Sequence, residues 1–413
     1  SRQRKRRRPV SDRVIVVGGG QAACQIADSL RREEFAGEVV VVTEEPHLPY
    51  QRPPLSKQYL AGDLDESRLF MRKADYYESH RIEMRTGCRA VRIDRQAQCL
   101  ELDDGERIAY AGLALATGAR ARPLIVPGAD CDGVFYLRNI ADVRAIRERM
   151  PDARRLVVIG GGFIGLEVAA VARKQGKQVS VLEFQDRLMP RAVAPFLSDF
   201  YYSLHSRHGV DVRTGAAVSA IDRNGAELHV RCADGTSYVA DLVVVGVGVI
   251  PNTELAGEAG LACEDGIRVD EFARTEDPRI VAAGDCTNHP NTLLARRLRL
   301  ESVHNAMEQA KTAAAALCGK ELAYAQIPWF WSDQFDARLQ MVGLSQDHDE
   351  YVLRGDPASG RFSLFYFRGG ELIAVDSVSV PKDHLQARKL LAARVSPTAE
   401  QAADVEFDLK SLL

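Results

Sequence analysis

The sequence predicts an α/β protein with two Rossmann-like dinucleotide-binding domains, one inserted in the other, and a smaller α+β domain at the C-terminus. Three observations carry this reading. The segments RVIVVGGGQAACQIADSLRREEFAGEVVVVTEE at 13–45 and RLVVIGGGFIGLEVAAVARKQGKQVSVLEF at 155–184 repeat one design. Each reads as a buried strand of β-branched residues, a glycine turn, a helix with small residues on one face, and a second strand ending in an acid. That is a βαβ unit of a parallel sheet. Beyond about residue 325 the texture changes to alternating strands.

Other segments fall in order around the two units. LALATGAR at 113–120 and IVAAGDCT at 280–287 are strands that stop at a glycine, and LVVVGVGVIPNTEL at 242–255 runs from a strand into a Gly/Pro turn. FSLFYF at 362–367 and LIAVDSVSV at 372–380 flank Arg368-Gly369-Gly370-Glu371, a hairpin signal, and the helical KDHLQARKLLAAR follows at 382–394. The expected division is a basic tail at 1–9, one nucleotide-binding domain at 10–120 and 251–325, a second at 121–250, and the α+β domain at 326–413.

A chain of 413 residues is too long for one ordinary core. Its longest apolar runs, such as VIVV at 14–17, are strand-length and far short of the roughly 18–20 residues of a membrane span. The eight cysteines (Cys24, Cys88, Cys99, Cys131, Cys232, Cys263, Cys286, Cys318) include no CxxC or CxxxxC pair, so neither a redox dithiol nor a zinc knuckle is expected. Scattered thiols fit a reducing, cytoplasmic setting. The net charge of −3 hides six positive charges in residues 2–8, without which the body stands near −9. Such a run reads as a solvated tail, with a nucleic-acid arm, a docking tail or a targeting segment other than a secretory signal as the alternatives.

Gly18, Gly20 and Ala23 fill G-x-G-x-x-A in the first unit; Gly160, Gly162 and Gly165 fill G-x-G-x-x-G in the second. Glycine is needed where the chain turns tightly and where backbone must approach a pyrophosphate, which then rests on the free N–H groups of the helix N-terminus. Glu44 and Glu183 end the following strands, placed to accept hydrogen bonds from an adenosine ribose. An acid at 183 favours a free 2′-hydroxyl, hence NADH over NADPH; Arg187, four residues on, is the one feature against. Two dinucleotide sites imply two dinucleotides, and the pair that makes chemical sense is a flavin and a nicotinamide.

PYQRPPLSKQYLAGD at 49–63, ATGAR at 116–120, GDC at 284–286, RLESVHNAMEQAKTAAAALCGK at 299–320 and PWFWSDQFDARLQMVGLS at 328–345 resemble the FAD-dependent ferredoxin reductases, flavoproteins of glutathione reductase-like architecture. Those enzymes serve bacterial cytochrome P450 and ring-hydroxylating dioxygenase systems. The resemblance implies an NADH:ferredoxin reductase that passes electrons one at a time to a [2Fe-2S] ferredoxin. It implies that Gly18, Gly20, Ala22, Ala23, Glu44, Lys57, Ala90, Ala116, Thr117, Gly118, Arg138, Gly284, Asp285 and Val303 touch FAD, with Val303 beside the isoalloxazine. Gly160, Gly162, Ile164, Gly165, Glu183 and Gly248 would hold NAD. Lys57 and Glu167 would pair near flavin N5 and gate the nicotinamide, and Trp329 would stand by the exposed flavin edge, unless it and Trp331 are core aromatics. Arg296, Arg297 and Arg299, in the loop after GDC, and Lys311 on the next helix are the candidate docking cations for an acidic ferredoxin.

Related architectures predict other chemistry. Flavin disulfide reductases need a dithiol beside the flavin, and NADH oxidases or coenzyme A disulfide reductases a single thiol just after the second strand, where this chain has Pro49-Tyr50-Gln51-Arg52-Pro53-Pro54. Without such a thiol the electrons must pass outward. A DNA-binding, apoptosis-inducing-factor-like protein is disfavoured by the acidic body, and an NADH-linked rubredoxin reductase differs only in partner.

Overall fold

The structure, a computed structural model, describes residues 12–413. The basic run at 1–9 lies outside the described residues. The chain divides into two units: one comprises the N-terminal segment to Gln51, Ser67–Ala119 and Pro251–Gln326, the other Arg52–Glu66, Arg120–Ile250 and Ile327–Leu413.

The first unit is organised by a five-stranded parallel sheet in the order Ile280–Ala282, Gly112–Leu115, Val14–Val17, Val39–Thr43, Ile82–Thr86. The central strands are buried on both faces, which is why they read as unbroken β-branched runs. Val14, Val16, Val39 and Val41 face the helices Gln21–Arg32 and Val303–Leu317; Ile15, Val17, Val40 and Val42 face Ile93, Leu100, Leu102 and Ile108 on the other side. Each such side chain contributes roughly 1.5–3 kcal/mol by leaving water, so the strand that carries the glycine turn is firmly anchored. The two helices meet through Ala22, Ala23 and Ala27 on one and Ala306, Ala310, Ala313 and Ala314 on the other, small side chains that let them pack closely.

The second unit repeats the plan, with the parallel order Asp211–Arg213, Gln178–Leu182, Arg155–Ile159, Leu242–Val245, Val134–Tyr136. It also holds the C-terminal antiparallel sheet, ordered Trp329–Gln334, Ala337–Gly343, Glu371–Val378, Arg361–Arg368, Glu350–Asp356. The expected hairpin closes on Gly369 and Gly370, with φ of 56° and 81°, as a two-residue turn matched to the strand twist requires. Helix Pro381–Ala393 buries Ala387, Leu390 and Leu391 against Phe365, Phe367 and Val375.

Two features depart from the sequence reading. Each parallel sheet is covered by a three-stranded antiparallel sheet, Ala90–Asp94 with Cys99–Leu102 and Arg107–Ala109 in the first unit, Val218–Asn224 with Glu227–Cys232 and Ser237–Ala240 in the second. Asn224-Gly225 at the tip of one hairpin was an available signal. The supposed loop at 296–299 is also not wholly a loop: Arg296–Leu298 is a strand paired antiparallel with Thr287–Asn291, because the intervening turn folds it back. Among the described residues no helix is long and apolar enough to cross a membrane.

Candidate functional site

In the first unit the strand Val14–Val17 delivers the chain into the turn Gly18-Gly19-Gly20. Gly18 has φ of 139°, and a Cβ there would lie 2.0 Å from the Ala116 carbonyl oxygen, so only glycine fits. Gly20 is different. Its extended backbone suits any residue, and a Cβ would meet no atom of the described residues within 4 Å. What a side chain would take from Gly20 is therefore open space directly before helix Gln21–Arg32, whose N-terminus no side chain caps. By contrast, helices Ile140–Arg149 and Val303–Leu317 are capped by Asn139 and Ser302. Uncapped N–H groups facing open space are what a dinucleotide pyrophosphate needs.

The remaining candidates of this unit gather at the same end of the sheet. Glu44 is exposed just beyond strand Val39–Thr43, and the Cys88 N–H bonds the Thr43 carbonyl at 2.9 Å, bringing the segment that leads to Ala90 alongside. Thr117 Oγ1 donates to the Asn252 carbonyl at 2.6 Å, and Asn252 Nδ2 donates to the Thr117 carbonyl at 2.8 Å, which holds the turn at Thr117-Gly118. Gly284, with φ of 93°, approaches the first helix so closely that a Cβ would lie 3.2 Å from Ala22 Cβ. Asp285 follows it, half-buried, and Val303 opens helix Val303–Leu317.

Gln309, not singled out from the sequence, is 1% exposed; its Oε1 accepts from the Gly284 N–H at 2.9 Å and Thr287 Oγ1 at 2.8 Å. Its Nε2 is buried without a hydrogen-bond partner among the described residues, a spare donor beside the turn that a cofactor acceptor would satisfy. The uncapped helix, the open space at Gly20 and this donor fit a bound FAD.

The second unit shows the same relations. Gly160 has φ of 110°, and a Cβ would fall 2.0 Å from the Gly246 carbonyl oxygen. A Cβ on Gly162 would meet no atom of the described residues within 4 Å, and this glycine precedes helix Phe163–Lys174, which has no side-chain cap among those residues. A Cβ on Gly165 would lie 2.3 Å from the Gly160 carbonyl oxygen, while Ile164 stays half-buried. Glu183 is buried, accepting from the Gly161 N–H at 2.7 Å and the Gln185 N–H at 2.8 Å. Arg187, the feature that argued against NADH, is spent within its own loop on the Val193 and Pro190 carbonyls and Ser198 Oγ, at 2.7, 2.9 and 2.8 Å. Gly248, with φ of 102°, accepts from the Arg122 N–H at 2.9 Å.

Lys57 and Arg138, assigned to FAD by resemblance, belong to this second unit. Arg138 sits where helix Ile140–Arg149 begins, its N–H donating to Asp142 Oδ2 at 2.8 Å and its carbonyl accepting from Arg52 at 2.8 Å. Lys57 Nζ lies 3.1 Å from Glu167 Oε2, and the two side chains are 14% and 4% exposed. Trp329 is half-buried against the C-terminal core, with the Arg388 guanidinium 4.9 Å above its ring and His384 edge-on at 5.8 Å. Trp331 lies beside it at 5.7 Å.

The four docking candidates do not share one environment. Arg297 is exposed but donates to Asn288 and to the Val269 carbonyl; Arg299 is 14% exposed and paired with Asp265 at 2.9 Å and Glu301 at 2.8 Å. Lys311 pairs with Glu308 at 2.7 Å, and Arg296 is half-buried. The eight cysteines are free thiols, and burial pushes those of Cys24, Cys232, Cys263, Cys286 and Cys318 up, away from the reactive thiolate.

Two glycine turns, each before an uncapped helix and each followed by an acid at the next strand end, define a flavoprotein oxidoreductase that pairs FAD with a nicotinamide nucleotide. The profile of the pyridine nucleotide-disulphide oxidoreductase family matches residues 12–310, and that of the reductase C-terminal domain matches 329–413. Rhodocoxin reductase from Rhodococcus erythropolis is 48% identical over 398 residues, 96% of this chain and 93% of its own. The ferredoxin–NAD(+) reductase component of the anthranilate 1,2-dioxygenase system from Burkholderia cepacia is 43% identical, covering 98% and 100%. The crystal structure of the covalent putidaredoxin reductase–putidaredoxin complex superposes with a TM-score of 0.94 at 40% identity, covering 97% of this chain and 98% of that one. The chain belongs to the pyridine nucleotide-disulphide oxidoreductase family, in its ferredoxin reductase branch.

Proposed function

We propose that this protein is an NADH:ferredoxin reductase of the cytoplasm, feeding a [2Fe-2S] ferredoxin that serves a cytochrome P450 or a ring-hydroxylating dioxygenase. The observation that carries this is the pair of glycine turns together with near full-length similarity to rhodocoxin reductase and to the reductase component of a dioxygenase system. The cofactor supplies the redox chemistry: bound FAD takes hydride from NADH and releases the electrons singly.

The chain's own part is to bind, orient and exclude. Residues 10–120 with 251–325 form the FAD domain, 121–250 the NADH domain and 326–413 the C-terminal domain in this reading. Gly20 and the N-terminus of helix Gln21–Arg32 receive the FAD pyrophosphate, with Glu44 on its ribose and Ala90, Thr117, Gly118, Arg138, Gly284, Asp285 and Val303 completing the contacts. Gly162 and helix Phe163–Lys174 do the same for NADH, with Glu183 on the ribose and Ile164 and Gly248 alongside. Lys57, steered by Glu167, admits the nicotinamide to the flavin, and Trp329 covers the flavin edge from which electrons leave. The upward-shifted thiols support an external acceptor. Reduction by NADH in a stopped-flow instrument, followed by a screen of small iron–sulfur proteins as acceptors, tests the proposal; turnover only with disulfides would refute it.

A further inference from the structure

Glu167 receives hydrogen bonds from three side chains on two separate segments, the neighbours Ser56 and Lys57 and the distant Ser332. Oε2 accepts from Ser56 Oγ at 2.5 Å and Lys57 Nζ at 3.1 Å, and Oε1 accepts from Ser332 Oγ at 2.7 Å. Behind Ser332 the contacts continue inward. Gln334 Nε2 lies 3.2 Å from Ser332 Oγ, and Gln334 Oε1 lies 2.9 Å from His205 Nε2. Ser332, Gln334 and His205 have no exposed surface. Helix Phe163–Lys174, strand Trp329–Gln334 and helix Pro195–Arg207 carry these residues, all within the second unit.

The direction of this chain follows from valence. A carboxylate only accepts, so Ser332 turns its one hydroxyl hydrogen to Glu167 and can only accept from Gln334. The Gln334 amide nitrogen therefore faces the serine and its oxygen faces the histidine. His205 must then donate from Nε2, which leaves Nδ1 as a bare lone pair. Nδ1 indeed has no partner among the described residues, and burial pushes the imidazole down to about 4, as a neutral ring with one N–H demands. Donors run one way, from His205 through Gln334 and Ser332 to Glu167.

A buried ion pair by itself is a poor stability device, since desolvation offsets the attraction. Lys57 alone would neutralise Glu167. The extra donors fix something else: Ser332 occupies Oε1, so that Oε2 is the oxygen presented to Lys57. We propose that Ser332, Gln334 and His205 are positioning residues for hydride transfer, locking the Glu167 carboxylate and through it the place of the Lys57 ammonium. This rests on the reading that Lys57 and Glu167 admit the nicotinamide to the flavin.

The test is stopped-flow reduction of the FAD-loaded enzyme by NADH, comparing Ser332→Ala, His205→Phe, Glu167→Gln and the double variant Ser332→Ala/Glu167→Gln. Ser332→Ala is expected to lower the limiting reduction rate about tenfold while the NADH dissociation constant moves by less than about twofold. Ser332→Thr, which keeps the hydroxyl, restores the rate, and His205→Phe gives a loss in the same direction. In the Glu167→Gln background Ser332→Ala adds nothing, because the serine acts only through that carboxylate. FAD content and Tm are recorded for each variant, and Ser332→Cys, close in shape but a weak donor, repeats the test if the alanine variant loses flavin. A Ser332→Ala enzyme reduced at the parental rate overturns the proposal, as does one that slows Glu167→Gln as much as the parent. An unchanged rate in Glu167→Gln itself removes the reading beneath it.

Discussion

Glu183 Oε2 lies 2.7 Å from the backbone nitrogen of Gly161, in the middle of the second glycine turn. A carboxylate held this close to the turn suits two ribose hydroxyls and repels a 2′-phosphate. Arg187 does not cancel it, since that guanidinium is committed to the Val193 and Pro190 carbonyls and to Ser198. NADH should exceed NADPH by at least about tenfold in kcat/KM, or about 1.4 kcal/mol of transition-state binding. Glu183→Ala with an arginine introduced nearby should narrow the ratio, and steady-state rates with both nucleotides measure it. Equal use of the two by the parent would refute the role given to Glu183.

Gly20 and Gly162 each leave open space ahead of an uncapped helix, so their substitution separates the two nucleotide sites. Gly20→Val should yield a colourless protein, its side chain filling the space proposed for the FAD pyrophosphate. Gly162→Val should stay yellow and be reduced by dithionite yet fail to be reduced by NADH. Flavin absorbance after purification and after each reductant reads both outcomes.

Asp376, 2% exposed, accepts from the Tyr366 hydroxyl at 2.9 Å, and burial pushes its carboxyl up to about 7 from 3.8. The native state therefore holds a proton that the unfolded chain has released across that window, and stability falls as pH rises from about 4 to about 7. The full shift is worth on the order of a few kcal/mol. Asp376→Asn keeps an acceptor for Tyr366 and removes the cost of the buried charge. Its Tm advantage over the parent should be larger at pH 8 than at pH 5, which differential scanning calorimetry would show.

On the acid side the sign reverses. Burial pushes His205, His289 and His384 down from 6.5 to about 4, so the stability they contribute is present above 6.5 and lost as pH falls toward 4. His289→Gln should therefore lose less stability than the parent between those two pH values, measured by urea unfolding at each.

Arg296, Arg297 and Lys311 are the cations to test for docking, Lys311 being held by one carboxylate, Glu308, where Arg299 is held by two, Asp265 and Glu301. Rim charges act mainly on encounter rate and its salt dependence. Replacing all three by glutamine should slow ferredoxin reduction at low salt and flatten its dependence between about 20 and about 500 mM, with NADH-to-ferricyanide turnover barely changed. A triple variant that matches the parent throughout would move the docking site elsewhere.

The parallel sheets and the glycine turns were legible because local chemistry dictates them. Buried strands need unbroken β-branched runs, and Gly18 and Gly160 meet carbonyl oxygens that no Cβ can face. The hairpin at Gly369-Gly370 was legible for the same local reason. What stayed hidden depends on distant pairing. Ser56 and Ser332 are ordinary polar residues until folding brings them to Glu167 from 111 and 165 positions away, and His205 until Gln334 arrives beside it from 129 positions away. Gln309 likewise shows its purpose only when Gly284 arrives beside it. Of the two ion pairs of Arg299, the one with Asp265 joins residues 34 apart and could not be read from the ARRLR run itself.

In the proposed reaction two electrons enter from NADH and leave one at a time to an iron–sulfur protein. Anaerobic sequential-mixing stopped-flow tests it directly: the yellow enzyme is mixed with one equivalent of NADH, then with an oxidised [2Fe-2S] ferredoxin from a P450 or dioxygenase system. Rapid bleaching of the flavin, its reoxidation by the ferredoxin, and two ferredoxins reduced per NADH are the expected results. A flavin that NADH leaves oxidised, or a reduced flavin that gives its electrons to disulfides but to no [2Fe-2S] protein offered, would contradict it.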